Sequence, residues 1–218
     1  MSARSLLKTA VKDSTLKKNS PHKRLMTKDV IILVRHGKPA LSRRIRLDWR
    51  GYRDWWKQYD AGGLAENQKI PKRVKEYARQ ADIVISSPLR RAMESAELAR
   101  GKPADKTDDD LVEAALPPPH FGGLKFRPKS WGTFARIAWY FGWSDGMESH
   151  RDARIRANKM AKKLAGEAAG GKMVFVTAHG WYNRMLKGSL KNQGWTCVHQ
   201  NGDLHWSCRR MERDSQAG

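Results

Sequence analysis

Hydrophobic residues in this chain are gathered into short dense runs separated by long polar stretches. Val30-Ile31-Ile32-Leu33-Val34 is continuous, and Ile83-Val84-Ile85-Ser86 and Met173-Val174-Phe175-Val176-Thr177 resemble it. Four or five β-branched and aliphatic residues without alternation predict strands buried on both faces. Helical stretches are predicted around Pro71 to Gln80, from Ser87-Pro88 to Arg100, from Ser149 to Glu167, and after Gly180. Ser87 is expected as an N-cap with Pro88 at the first helical position, and Gly101 with Pro103 as the stop. The alternation in Leu204-His205-Trp206-Ser207-Cys208 predicts a final strand. Strands alternating with helices predict an α/β fold with a largely parallel sheet covered on both faces.

The segments between these elements are unusual in content. Lys38 to Leu64, a loop or helical stretch, is dense in arginine and tryptophan, including Arg43, Arg44, Trp49, Arg50, Trp55 and Trp56. Residues 101–130 are loop-rich, with Pro117-Pro118-Pro119 and Gly122-Gly123. Residues 131–143 hold six aromatics: Trp131, Phe134, Trp139, Tyr140, Phe141 and Trp143. Residues 1–28 carry eight Lys/Arg against one acid, Asp13, and are expected to form a flexible basic arm. A weak amphipathic pattern over Leu6-Leu7 and Ala10-Val11 would suit contact with an anionic membrane surface.

The 218 residues suffice for one large domain, and 39% hydrophobic content supports a core. The formal net charge of +21 implies an anionic partner such as a phosphate ester, nucleic acid or an acidic membrane. The two cysteines, Cys197 and Cys208, give neither a disulfide framework nor a CxxC metal spacing, which fits a reducing, cytoplasmic setting. No stretch approaches the length of a membrane-spanning helix, and no secretory signal pattern is present.

Chemistry collects where the predicted strands end. The first is followed by Arg35-His36-Gly37, the second by Ser87-Pro88-Leu89-Arg90-Arg91-Ala92, the third by Ala178-His179-Gly180. Ligands in open α/β sheets bind beyond the carboxyl ends of strands. If these strands are neighbours, two imidazoles and at least two guanidiniums converge, and helix N-termini add backbone N–H groups. That is a pocket for a dianion, with no metal ligand set. A neutral imidazole can attack phosphorus, arginines can clamp the phosphoryl oxygens, and a carboxylic acid is needed to protonate a leaving alcohol. Glu113 can supply the acid, with Asp108, Asp109 and Asp110 as alternatives.

These residues resemble the histidine phosphatase superfamily, in its phosphoglycerate mutase-like branch. Arg35-His36-Gly37 matches the family's Arg-His-Gly. Ser87-Pro88-Leu89-Arg90-Arg91-Ala92-Met93-Glu94-Ser95-Ala96 matches its Ser-Pro-Leu-x-Arg-Ala-x-x-Thr-Ala, with Ser95 for threonine. His179-Gly180 matches its late His-Gly, and Gly146-Met147-Glu148-Ser149 resembles its Gly-Glu-Ser with Met147 inserted. The resemblance implies a three-layer α/β/α sandwich with a mostly parallel central sheet over residues 29–212. It implies His36 as the phosphorylated nucleophile and Arg35, Arg91 and His179 as phosphoryl ligands. Glu113 becomes proton donor and then base, and neither metal nor cofactor is required. Gly37, Ser42 and Gly180 are the remaining expected contacts, Ser42 falling where relatives near the mutases carry asparagine.

Lys38-Pro39 after the tripeptide and the proline run after Glu113 depart from the mutase pattern. Hydrolysis of a phosphate monoester is therefore expected, with mutase-like transfer and phosphoprotein dephosphorylation as alternatives. An aromatic-rich lid or insertion is expected around 115–147, over a phosphorylated small molecule with an apolar part. A nucleic-acid- or membrane-binding protein without catalysis is the alternative of another class. Its carrier would be the Arg43 to Trp56 segment, and no specific nucleic acid is expected as a partner.

Overall fold

A computed structural model describes residues 27–215. The predicted basic arm, apart from Thr27 and Lys28, lies outside the described residues. Six strands form one mixed sheet: β1 (Lys28–Arg35), β2 (Ile83–Ser86), β3 (Lys106–Thr107), β4 (Met173–Ala178), β5 (Thr196–Gln200) and β6 (Cys208–Asp214). Their order across the sheet is β3-β2-β4-β1-β6-β5. The pairings β2–β3, β2–β4 and β1–β4 are parallel, whereas β6 is antiparallel to both β1 and β5.

The helices are α1 (Trp49–Ala61), α2 (Lys72–Gln80), α3 (Arg90–Arg100), α4 (Pro128–Tyr140), α5 (His150–Glu167) and α6 (Gly180–Asn192). Strand periodicity sorts the core into two layers, because successive side chains point to opposite faces. Ile31, Leu33, Val174 and Val176 face α5 and α6 and meet Met160, Leu164, Leu186 and Leu190. Val30, Ile32, Val34 and Phe175 face the other way and meet Val74 and Ala78 of α2 and Ala96 and Ala99 of α3. This is the expected α/β/α sandwich, with the continuous apolar runs at its centre as two-sided burial requires.

A third cluster lies apart from the sheet. Tyr52, Trp55 and Tyr59 of α1 pack on Trp131 of α4, with Phe126 and Phe134 against them. The aromatic block thus divides. Trp131 is buried in this outer cluster, Trp139 joins the core beneath α5 and α6, and Phe141 stands largely in solvent. No helix among the described residues is long and apolar enough to cross a membrane.

Several local expectations need correction. The α3 helix opens at Arg90 with Leu89 at the cap, and the Ser87 hydroxyl accepts from Leu89 N (3.4 Å) while also meeting His179 Nε2 (2.9 Å). The final strand is β6, which begins where the predicted one ends. Residues 201–207 form a turn in which Trp206 takes a left-handed φ of 62°. A polar edge strand of Thr, Cys, Val, His and Gln, β5, and the two-residue β3 carry too little apolar signal to be predicted.

Because the α1/α4 cluster is separate from the two sheet layers, its disruption should stay local. Trp131→Ala is expected to cost about 3–5 kcal/mol within that unit. Hydrogen exchange followed by mass spectrometry should show faster exchange in α1 and α4, with β1 and β4 amides unchanged. Equal acceleration in both regions would refute this.

Candidate active site

Strand register builds the site. On the parallel pair, Arg35 lies opposite Ala178 and Val34 opposite Thr177, so His36 and His179 leave the sheet side by side. The ladder extends past the strand ends, with His36 N–H donating to Ala178 O (3.0 Å) and Ser87 N–H to Thr177 O (2.9 Å). The three motifs therefore share one carboxyl edge. The ring centroids of His36 and His179 are 5.2 Å apart.

His36 is 2% exposed, and its Nδ1 lies 2.7 Å from the carbonyl of Gly37. A carbonyl only accepts, so Nδ1 carries the proton and Nε2 keeps its lone pair. Burial, together with the neighbouring His179 ring and the Arg91 and Arg35 charges, holds the His36 pKa well below the ordinary imidazole value. The ring is therefore neutral at physiological pH. Gly37 is required by space: a Cβ there would lie 2.7 Å from the Trp206 ring and from Gln68 Oε1. Its N–H donates to Ser95 Oγ (2.8 Å), which in turn donates to Arg91 O (2.6 Å). Ser95, the threonine replacement, thus ties the first motif to the second.

Arg91 is completely buried. Its Nη1 donates to Tyr59 O (2.9 Å), its Nη2 to Asp60 Oδ1 (3.0 Å), and the guanidinium lies over the Tyr59 ring at 4.6 Å. The last turn of α1 supplies these partners, and a helix C-terminus is where unpaired carbonyls and negative dipole favour a cation. Arg91 Nη2 also approaches His179 Nδ1 at 3.3 Å, and His179 Nε2 lies 2.9 Å from Ser87 Oγ. Since arginine only donates, His179 accepts at Nδ1 and donates at Nε2 to Ser87. Burial and the Arg91 and Arg35 charges keep His179 neutral as well.

Arg35 donates to the carbonyl of Asp203 and passes over the start of α6. Gly180 allows that passage, because a Cβ there would stand 3.0 Å from the guanidinium carbon. Glu113 sits at the same helix start. Its Oε1 accepts from Tyr182 N (2.9 Å) and Ala114 N (3.1 Å), its Oε2 from Trp181 N (3.3 Å). The segment before it is fixed by Arg156, which donates to Asp110 O (2.7 Å) and Val112 O (2.9 Å) while paired twice with Glu148 at 2.7 Å. Ser149 caps α5 through Asp152 N (3.1 Å). The Gly146 to Ser149 segment therefore positions the loop that carries Glu113.

Arg35, His36, Arg91, Glu113 and Gly180 line one cleft of about 370 Å³. Ser42 does not line it; its hydroxyl accepts from Arg44 N (3.3 Å) on the exposed side. The next residue, Arg43, lines the cleft instead and donates to Tyr59 Oη (2.6 Å). Trp55 is buried with its Nε1 on Ser42 O (3.0 Å), which removes it as a platform for stacking bases. Asp108 and Asp110 pair with Lys163 and Lys159 away from the cleft. Sequence reasoning missed Asp60, Arg156 and His205. His205, in the turn before β6, brings a third imidazole to 5.7 Å from His36. Its signal was a histidine inside a segment assigned to a strand. No group of three His, Cys, Asp or Glu side chains that could hold a metal occurs among the described residues.

Comparison with known proteins bears on the fold. No curated protein matches the chain. Among solved structures, a mycobacterial glucosyl-3-phosphoglycerate phosphatase complexed with VO3 superposes with a TM-score of 0.54 at 21% identity, covering 86% of this chain and 99% of that one. Mycobacterial hydrolase 2 gives 0.53 at 22% identity, covering 88% and 85%. A mutant phosphoserine phosphatase from Entamoeba histolytica in complex with phosphoserine gives 0.51 at 14% identity, covering 83% and 89%. These share the fold.

The depressed imidazoles predict a pH dependence of stability. Burial, with Arg35 next, lowers His205 from 6.5 to about 4. As pH falls below about 6.5 the unfolded chain takes up a proton that the folded state refuses until near pH 4. Stability is therefore complete above pH 6.5 and lost on acidification through that window. His205→Gln should reduce the loss in unfolding free energy between pH 8 and pH 5 by about 1 kcal/mol in urea titrations, since solvent at the half-exposed ring screens part of the shift. An unchanged loss would contradict it.

The family model of the histidine phosphatase superfamily (branch 1) matches residues 31–214, and the chain belongs to that superfamily.

Proposed function

We propose that this protein is a phosphatase that hydrolyses a small phosphate monoester through a phosphohistidine on His36. The observation that carries the reading is the tautomer of His36: Nδ1–H is held by Gly37 O, which leaves Nε2 as a buried, unprotonated nucleophile beside two arginines. Nε2 attacks phosphorus and the bond to the ester oxygen breaks. Glu113, entering as the acid, gives its proton to the departing oxygen. The Glu113 carboxylate then takes a proton from water as that water attacks phosphorus. The P–N bond breaks, phosphate leaves, and His36 and the protonated acid are restored.

Arg35 and Arg91 stabilise the charge on the phosphoryl oxygens in this reading, and His179 joins them by turning its Nε2–H from Ser87 to a phosphoryl oxygen. Arg91 acts from a fixed position because α1 already binds two of its nitrogens. Metal or cofactor has no step in the scheme. The cleft volume suits a small molecule. The names of the solved neighbours, which speak of phosphoserine and glucosyl-3-phosphoglycerate, agree with that size class.

Incubation with p-nitrophenyl phosphate and an acid-free quench should leave one phosphoryl group on His36 by mass. His36→Ala should lose the adduct and at least about a thousandfold in turnover; turnover like the parent protein's would sink the mechanism. Glu113→Gln should cost an alkyl phosphate roughly 10²–10⁴-fold. It should cost p-nitrophenyl phosphate much less, because nitrophenolate leaves without a proton. Equal losses would remove Glu113 as the acid.

A further inference from the structure

Outside the catalytic cleft, a groove of about 420 Å³ follows the seam between α5 and α6. Tyr140, His150 and Arg154 line it from α4 and α5, and Trp181, Gly188 and Ser189 from α6. Along α5 the lining advances turn by turn, from His150 to Arg154 to Asn158, as side chains on one helix face do. Small residues at the seam keep the groove open: a Cβ on Gly188 would meet nothing within 4 Å.

The end nearest the helix starts is aromatic. Tyr140 lies against His150 with ring centroids 4.4 Å apart, and Trp181 stands perpendicular to it at 6.0 Å. Tyr140 nevertheless stays 55% exposed, which leaves ring surface for a ligand.

Farther along, the groove is lined by unpaired donors. Arg154 is exposed and forms no ion pair or hydrogen bond among the described residues. Ser189 is only 7% exposed, yet its hydroxyl has no partner there either. A helical serine commonly returns its hydroxyl to the carbonyl four residues back, and Ser189 does not. The Asn158 amide is likewise unpaired. Polar neighbours just outside the groove are paired: Arg156 with Glu148, Lys159 with Asp110, and Lys187 with Gln200. No Asp or Glu lines the groove. Burial and the charges of Arg154 and Arg136 lower the His150 pKa, with no acid acting in the opposite sense. Free donors around an unpaired cation complement an anion, and the adjoining rings complement a planar ring.

We propose that this groove binds an aromatic anion, with its ring against Tyr140 and its carboxylate or phosphate group on Arg154, Asn158 and Ser189. Arg154 lies one helical turn from His150, so ring and charge are only a few bonds apart in the ligand. The site is separate from the catalytic cleft, but Trp181 and Arg184 line both. Trp181 N–H donates to Glu113 (3.3 Å), and Arg184 pairs with Asp203, whose carbonyl accepts from Arg35. An occupant of the groove thus rests on residues that hold the catalytic edge.

Binding measurements test this without turnover. The calorimetric probes are naphthalene-2-carboxylate and adenosine 3′,5′-cyclic monophosphate, neither of them a phosphate monoester. Naphthalene-2-methanol and adenosine lack the charge, and cyclohexanecarboxylate lacks the planar ring. At least one aromatic anion should bind about tenfold more tightly than its counterparts. The probe that shows the gain identifies the anionic group as carboxylate or phosphate. Amide NMR shifts should centre on Ala157, Gly188 and Ser189. Arg154→Met should weaken binding about tenfold, and Arg154→Lys should restore part of it. Gly188→Leu should abolish binding by filling the groove. It should not lower thermal stability, because leucine favours a helix interior over glycine. Should Gly188→Leu fail to fold, the exposed Arg154 still decides the matter. No preference for aromatic anions, or a preference untouched by Arg154→Met or by a folded Gly188→Leu, overturns the proposal. So do shifts centred on His36 and Gly37, which would place the ligand in the catalytic cleft.

Discussion

The parallel pairing of β1 with β4 is the constraint on which the rest depends. A parallel ladder sends both chains out of the sheet at the same edge, and its register fixes which residues emerge together. With Arg35 opposite Ala178, His36 and His179 become neighbours although 143 positions separate them in sequence. A slip of one residue would turn His36 away and would also drive Ile31 and Leu33 from one core layer into the other. The burial that stabilises the sheet therefore also enforces the geometry of the site.

The cost of this arrangement is a concentration of donors. Arg35, Arg91 and two imidazoles occupy a buried edge, with Asp60 and Glu113 as the facing carboxylates. The structure answers in two ways. It keeps the imidazoles neutral, and it directs backbone carbonyls at the guanidiniums, from the end of α1 for Arg91 and from Asp203 for Arg35. Neither remedy is complete: the Nε atoms of Arg35 and Arg91 remain buried and unpartnered. In the proposed reading, a phosphoryl group would bring the acceptors that complete them.

The sequence made the centre of the sheet legible because two-sided burial leaves an unbroken apolar run, as in β1 and β4. His36, Arg91 and His179 stood out as candidates because they follow predicted strands, whereas Glu113 was offered from a loop as the acid the chemistry calls for. The supporting residues were illegible for a different reason. Asp60 matters through the last turn of α1, Arg156 through its grip on two carbonyls, and neither role has a local pattern. Ser87 illustrates the same limit: its position reads as a helix cap, yet in three dimensions a histidine from another strand claims the hydroxyl. Ser42 failed by one place, because a loop's direction cannot be counted along the chain as a helix or strand can.

The aromatic cluster shared by α1 and α4 has a consequence beyond packing. It gives the wall of the cleft a foundation distinct from the two layers that hold β1 and β4. Substitutions on its α4 side can reshape what the cleft admits while the β1–β4 register holds, whereas those at Tyr59 reach the catalytic edge because α1 also holds Arg91. Selection can then act on the α4 side of the wall with less effect on the reaction centre than on its α1 side. A lineage built this way can exchange one substrate for another through changes that leave the chemistry intact at every step.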